Sequence, residues 1–369
     1  MRGLFVEPFY GGSHRTFLDG LIAHAGHELV PLTLPEGEWR RRMRRGAQEL
    51  AAMSADLPGH FDYLVATDML DLPAFLALTR PRFSSTPTLL YMHENQFTYP
   101  RIRGTKLNSW FGQINYLSAC AADAVAFNSA YHRDEFLGAL HTQSKQPNNW
   151  LVPEAIDQIA AKSTVLPIGL DLHSLDEHKP PLSTSVERGR GGEVLWNHRW
   201  EFDKAPETFA RVIRKVAEAG IDFTLAIAGD PGDNPSPALA ELRDALGDRV
   251  THFGYVPSRA EYAGLLWEAD IVVSTSRHEF FGVSTVEALY CGCFPIVPAR
   301  HNYPALVPAE LHDRTLWEDE AHCVDLLTRA LTEPLDLAER LRAHVSRYDW
   351  SEVGPLWRDA LTRLGGEPP

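Results

Sequence analysis

Two glutamates, Glu279 and Glu287, flank a glycine in the run His278-Glu279-Phe280-Phe281-Gly282-Val283-Ser284-Thr285-Val286-Glu287. Each carboxylate oxygen accepts hydrogen bonds, so a pair placed this way suits the hydroxyls of a sugar and of a ribose. The run follows an apolar segment, 270–274, that reads as a strand, and it opens a helix that stops at Gly292. Glu279 then falls in the loop at a strand's carboxyl end. Gly282 admits a ligand close to the backbone, and the amides of Val283 and Ser284 are unpaired donors facing a phosphate at a helix N-terminus. Glu287 lies more than one turn into the helix and reaches back toward a nucleoside. The plainer alternative is a pair of acids favoured by the helix dipole.

A second run, Trp196-Asn197-His198-Arg199-Trp200-Glu201-Phe202-Asp203-Lys204, follows the strand that opens the second half. Arg199 offers a planar fork and Lys204 a compact charge, which together suit a diphosphate. The alternative is an exposed loop in which they pair with Glu201 or Asp203. A third run, Glu7-Pro8-Phe9-Tyr10-Gly11-Gly12-Ser13-His14, follows the first strand. Gly11 and Gly12 permit a tight turn close to a ligand, and Ser13 is the expected N-cap of the next helix. The spacing is not GxGxxG, so a dinucleotide has little support. In the fourth, Tyr91-Met92-His93-Glu94-Asn95-Gln96-Phe97, polar groups follow the end of a strand, and His93 stands where parallel sheets place functional groups. No Asp-x-Asp triplet occurs, which disfavours transferases that hold their donor through a metal on such a triplet.

The elements that position these runs alternate. Apolar segments at 4–6, 29–34, 63–66, 88–92, 124–127 and 163–167 read as strands, with amphipathic stretches at 16–25, 107–121 and 130–139 between them. A second set follows, with strands at 193–197, 223–228, 250–253, 270–274 and 294–297 and helices at 205–219 and 258–269, the last opened by Ser258 and Glu261 in capping-box spacing. Alternation of this kind implies parallel sheets covered on both faces. The expected division is a domain at 1–175, a Pro- and Ser-containing linker at 176–192, a second domain at 193–345, and a closing helix at 346–369 able to cross back to the first domain.

Composition agrees with a two-domain globular chain: 369 residues, 44% hydrophobic and 23% charged. No apolar run of spanning length occurs, and Glu7 interrupts the first apolar segment too early for a signal peptide. Four cysteines give no disulfide framework and fit a reducing, cytoplasmic setting. The net charge of -14 argues against a broad basic surface. Against it stand Arg40, Arg41, Arg42, Arg44 and Arg45, five arginines in six positions, which read either as a solvated helix face or as a phosphate-contacting patch.

The second-half runs resemble retaining glycosyltransferases of family 4, whose fold is GT-B: two Rossmann-like α/β domains facing across a central cleft. Glu279 and Glu287 match that family's paired glutamates, and Arg199 and Lys204 its phosphate-binding cations. The first-half runs, with Phe127-Asn128-Ser129, more narrowly resemble the tRNA-queuosine mannosyltransferase family. The resemblance implies transfer of mannose from GDP-mannose to the cyclopentenediol of queuosine in tRNA, with retention. It implies His93 and Glu279 at the reacting sugar. Gly11, Gly12, His14, Arg199, Lys204, Gly282, Val283, Ser284 and Glu287 would lie on the donor, and the five arginines on tRNA. No metal, no further cofactor and no covalent nucleophile are implied. Alternatives are a family 4 transferase acting on a lipid, polysaccharide or small-molecule acceptor, a sugar-nucleotide epimerase of the same fold, and a non-catalytic nucleotide-sugar or tRNA-binding protein.

Overall fold

The computed structural model describes residues 1–99, 109–179, 192–232, 236–333, 335 and 337–366. Its contacts divide the chain into two compact units: Met1–Leu170 together with the segment that starts at Trp350, and Asp171–Asp349.

The first unit runs β1 (Arg2–Tyr10), α1 (Gly12–His24), β2 (Glu28–Pro35), α2 (Trp39–Ser54), β3 (Tyr63–Thr67), α3 (Leu72–Leu78), β4 (Thr88–Met92), α4 (Ser109–Ala121), β5 (Ala124–Phe127), α5 (Ala130–Ser144), α6 (Pro153–Ala161) and β6 (Ser163–Val165). The strands pair in parallel in the order β2-β1-β3-β4-β5-β6. Side chains alternate between faces, as a strand requires. Leu4 and Val6 enter one core with Leu64, Ala66, Leu90 and Met92. Phe5 enters the other with Tyr63, Val65, Leu89 and Tyr91. With both faces buried, these strands read as apolar runs in the sequence.

The second unit continues with β7 (Glu193–Asn197), α7 (Pro206–Glu218), β8 (Thr224–Ala228), α8 (Pro237–Leu246), β9 (Val250–Gly254), α9 (Arg259–Glu268), β10 (Ile271–Val273), α10 (Val283–Tyr290), β11 (Phe294–Pro298), α11 (Tyr303–Leu306), α12 (His312–Thr315), β12 (Leu316–Trp317), α13 (Glu320–Thr332) and α14 (Ala338–Val345). Its parallel sheet has the order β12-β11-β10-β7-β8-β9. The chain then enters α15 (Trp350–Gly365), whose Trp350, Val353, Trp357 and Leu361 are buried beside Phe17 and Leu21 of α1 in the first unit's core.

The unit boundaries fall at Leu170 and Asp349, whereas the sequence placed the domain ends at 175 and 345. Residues 173–178 form a short 3-10 turn of the second unit, and positions 180–191 of the expected linker lie outside the described residues, as do 107 and 108 of the expected helix at 107–121. The third apolar–helical alternation also differs in extent: α5 continues to Ser144 rather than ending at 139. No helix among the described residues is long and apolar enough to cross a membrane.

Candidate active site

Sheet order brings the polar groups together. In the second unit β7 lies between β8 and β10, where the chain's path through the sheet reverses, and ligands favour the carboxyl ends of strands at such a point. The loop after β7 carries Arg199 and Lys204, and the loop after β10 carries Glu279. Lys204 Nζ lies 3.1 Å from Glu279 Oε2 and 3.2 Å from Asp203 Oδ2. Burial alone would lower the Lys204 pKa, but Glu279 and Asp203 outweigh it and hold the ammonium firmly charged. Burial would raise Glu279, and Lys204, helped by the hydrogen bond from Phe281 N, reverses this, so its carboxyl sits below its ordinary value.

The loop after β7 is pinned tightly. Ala205 adopts φ 49°, a left-handed conformation costly for a non-glycine residue. Thr275 Oγ1 donates to the carbonyls of both Lys204 and Ala205, at 3.0 and 3.2 Å, and Arg277 N donates to Asp203 O at 2.7 Å. His198, also buried, has its pKa pushed down to about 3 by burial and by Lys204, so it is neutral. Arg199 is placed apart from this cluster: its side chain is 60% exposed and pairs with Glu201 at 3.0 Å. That is the loop pairing the sequence offered as the alternative.

Gly282 caps α10 at φ 102°, which only glycine adopts at little cost, and Val283 and Ser284 form the helix's first turn. Their amides belong to the group that lacks an intrahelical acceptor. Glu287 is not an idle helix acid. Its two oxygens accept from Arg259 Nη1 at 2.5 Å and Tyr262 OH at 3.1 Å.

In the first unit the groups converge at the ends of β1, β3 and β4. Glu7 is fully buried; one oxygen accepts from Phe9 N at 2.8 Å and the other lies 3.0 Å from His14 Nδ1. The His14 and His93 rings stand 4.3 Å apart between centroids. Asp68 Oδ1 accepts from His93 N at 2.8 Å, and Asn128 Nδ2 donates to His93 O at 2.9 Å. Burial and Glu94 hold the Asp68 carboxyl well above the usual carboxylate range. His93 Nε2 is buried and has no hydrogen-bond partner among the described residues. Burial, then the neighbouring His14 and His132, depress the His93 pKa, so its ring is neutral. Burial would depress His14 as well, but Glu7, then Asp68 and Glu94, raise it to about 9. Glu7, His14 and His93 bring metal-ligating atoms within 4.8 Å of one another. With His14 protonated, the imidazolium already supplies the cation that Glu7 requires.

One correction concerns the glycine turn. Ser13 is exposed inside the first turn of α1 and caps nothing; Gly11 is the N-cap and Gly12, at φ 48°, begins the helix. A two-residue hinge of glycines leaves no place for a side-chain cap there. Sequence reasoning also missed Glu7 and Asp68 as site residues. Glu7 did carry a signal: a carboxylate within an apolar strand run, seven residues before a histidine. Asp68 stands just past β3 as His93 stands past β4, so the pattern of polar residues at strand ends would have found it.

The raised His14 pKa has a measurable consequence. A histidine whose folded pKa lies above its ordinary 6.5 adds stability that is complete below 6.5 and lost as pH rises through about 9. The imidazole signal of His14 in NMR is expected to titrate near 9, and in Glu7→Gln well below it. An unshifted signal in Glu7→Gln would assign the effect to other groups.

The α2 helix places the arginines. Glu38 caps it, accepting from Arg40 N and Arg41 N. Arg42 and Arg45 lie 3.5 and 3.6 Å from Glu49, and Arg42 is 15% exposed. Arg40 lies over Trp39 at 4.5 Å and Arg44 over Phe111 at 5.3 Å. Arg40 and Arg44 are one turn apart and share a face, as do Arg41 and Arg45; all four are exposed.

Comparison with known proteins identifies the fold and the family. Solved structures with the same fold include sucrose-phosphate synthase from Thermosynechococcus elongatus (TM-score 0.72, 16% identity, 98% of each chain) and the trehalose-6-phosphate synthase OtsA (TM-score 0.67, 13% identity, 100% of this chain and 99% of that one). The profile described as glycosyl transferases group 1 matches residues 193–333. Fold and profile together define a glycosyltransferase of the GT-B fold. The profile described as the tRNA-queuosine alpha-mannosyltransferase N-terminal region matches residues 2–170. The Drosophila melanogaster tRNA-queuosine alpha-mannosyltransferase is 31% identical over 83% of this chain and 82% of its own. A GDP-mannose-dependent alpha-(1-6)-phosphatidylinositol dimannoside mannosyltransferase of Mycobacterium tuberculosis is 24% identical over 94% and 88%. The chain belongs to the tRNA-queuosine alpha-mannosyltransferase family.

Proposed function

We propose that this glycosyltransferase moves mannose from GDP-mannose to the cyclopentenediol of queuosine in a tRNA anticodon, with retention of anomeric configuration. The observation that carries the reading is the family match of residues 2–170, because that half of the chain matches the tRNA-queuosine alpha-mannosyltransferase N-terminal region rather than glycosyl transferases in general. In this reading Arg199, Lys204 and the amides at Gly282, Val283 and Ser284 hold the diphosphate, and Glu287 the ribose. Gly11, Gly12 and His14 also face the donor, whose sugar His93 and Glu279 contact. The acceptor hydroxyl attacks the face that the diphosphate leaves: the new C–O bond forms as the C–O bond to phosphate breaks, and the departing phosphate takes the hydroxyl proton. The protein stabilises the negative charge growing on that phosphate. Side-chain cations take the place of a donor-bound metal.

Arg40, Arg41, Arg44 and Arg45 contact tRNA phosphates, while Arg42 is largely buried and lies against Glu49 of the same helix. The test is mass spectrometry of nucleosides from queuosine-containing tRNA incubated with GDP-mannose and a divalent-ion chelator. A hexose added to queuosine is expected. Absence of that product with or without added magnesium or manganese overturns the acceptor assignment, and turnover on a lipid or glycan acceptor instead would replace it. Turnover that vanishes with chelator and returns with metal overturns the metal-independent site. Neutralising the four exposed arginines is expected to weaken tRNA binding and flatten its salt dependence, with GDP binding unchanged.

A further inference from the structure

We propose that Arg259 and Tyr262 are positioning residues that turn Glu287 into a reader of a vicinal diol, so that the site selects a ribonucleotide over a 2′-deoxyribonucleotide. This rests on the reading of Glu287 as the ribose contact.

The clamp is built from three elements. Ser258 caps α9, its Oγ accepting from Glu261 N at 3.1 Å, which fixes the helix start. Arg259 and Tyr262, three residues apart, therefore share one face of that helix. From it Arg259 Nη1 donates to Glu287 Oε1 at 2.5 Å and Tyr262 OH to Oε2 at 3.1 Å. Neither donor is loose. Arg259 Nη2 donates to Asp171 O at 3.3 Å. Tyr262 OH accepts from Asn197 Nδ2 at 3.0 Å, and the same amide donates to Ser284 O at 2.9 Å in the first turn of α10. The end of β7, the face of α9 and the first turn of α10 are thus tied through the Asn197 amide and the Tyr262 hydroxyl, which in turn holds the Glu287 carboxylate.

Stoichiometry gives the function. A carboxylate has about four lone-pair sites, two on each oxygen. The protein occupies one on each, leaving one on each. A ribose presents two adjacent hydroxyl donors, which match two acceptors held in a fixed plane. The Glu287 side chain is only 10% exposed, so an unheld carboxylate would have few rotamers to meet them and no partner for its charge. Deleting one hydroxyl leaves a buried acceptor unpaired, which is the costly direction of discrimination.

The test measures dissociation constants of GDP and 2′-deoxy-GDP for the wild type and for Arg259→Ala, Arg259→Lys, Tyr262→Phe and Glu287→Gln. The wild type is expected to favour GDP roughly ten- to hundredfold. Arg259→Ala and Tyr262→Phe are expected to bring that ratio toward unity, with Arg259→Lys intermediate. If Glu287→Gln keeps the wild-type ratio, the ribose reading itself fails. If Glu287→Gln abolishes the ratio while Arg259→Ala and Tyr262→Phe keep it, the clamp fails and the ribose reading stands. Equal weakening of both ligands in Arg259→Ala and Tyr262→Phe would make these residues merely structural and overturn the proposal. Tyr262→Phe removes one oxygen atom and keeps the ring, so it reports even where Arg259→Ala folds poorly.

Discussion

Lys204→Ala is expected to lower donor affinity and turnover together, each on the order of ten- to a hundredfold, and to lower the melting temperature as well. The two effects have different origins. Charged hydrogen bonds to a phosphate contribute about 1.5–3 kcal/mol, which sets the loss in binding. The stability loss comes from what the ammonium leaves behind: Asp203 and Glu279, with side chains 6% and 17% exposed, both lie within 3.2 Å of Nζ. Breaking a buried pair from one side typically costs about 3–5 kcal/mol because the remaining charge is uncompensated. Carboxylates can escape that penalty by taking a proton, so the stability gap between variant and wild type should narrow as pH falls. Arg199→Ala provides the contrast. Its side chain is 60% exposed and its pair with Glu201 is a surface one, so the variant should lose donor binding with little change in melting temperature. Calorimetric donor titrations and thermal melts at two pH values make the comparison. Unchanged donor affinity and turnover in both variants would remove these cations from the donor site.

Glu279→Gln is expected to reduce turnover on the order of a hundredfold while the donor dissociation constant moves only a few-fold. The carboxylate is kept ionised by Lys204, whose Nζ lies 3.1 Å from Oε2. A negative charge beside the sugar acts most strongly when the anomeric centre becomes oxocarbenium-like, an interaction gained in the transition state rather than in the bound donor. The glutamine keeps the shape and removes the charge. Glu287→Ala should do the reverse, raising the donor dissociation constant about tenfold and sparing turnover at saturation, because ribose contacts are equal in both states. Full activity of both variants at subsaturating donor would overturn the paired-glutamate reading. Equal effects on binding and turnover in Glu279→Gln would place that residue at the nucleotide instead.

The sequence by itself determined the element types. Strands such as Tyr63–Thr67, Thr88–Met92 and Glu193–Asn197 are buried on both faces, so each had to be a continuous apolar run, and such runs are legible locally. It also determined which polar residues follow strand ends, which is why Lys204, His93, Glu279 and Glu287 stood out. The two-residue strand β12 was not legible, since Leu316-Trp317 has no period to read. Nor was the return of α15: its apolar stripe suits any apolar face, and the packing of Trp357 against the first unit's core chose between them.

Only the tertiary structure decided the partners. Nothing near Lys204 in the sequence points to Glu279, 75 residues away, or near Glu287 to Arg259 and Tyr262. The first pairing exists because β10 lies beside β7 in the sheet, while β8 and β9, which follow β7 in the chain, lie on its other side; the second joins the helices that precede and follow β10. Parallel neighbours are joined through crossovers, so adjacency in the sheet is set by how whole layers pack and not by local pattern. Arg199 shows the same limit from the other side. Its type and position match Lys204 as a phosphate cation, and only the tertiary structure shows that its exposed side chain lies beside Glu201 while Lys204 is buried against Glu279.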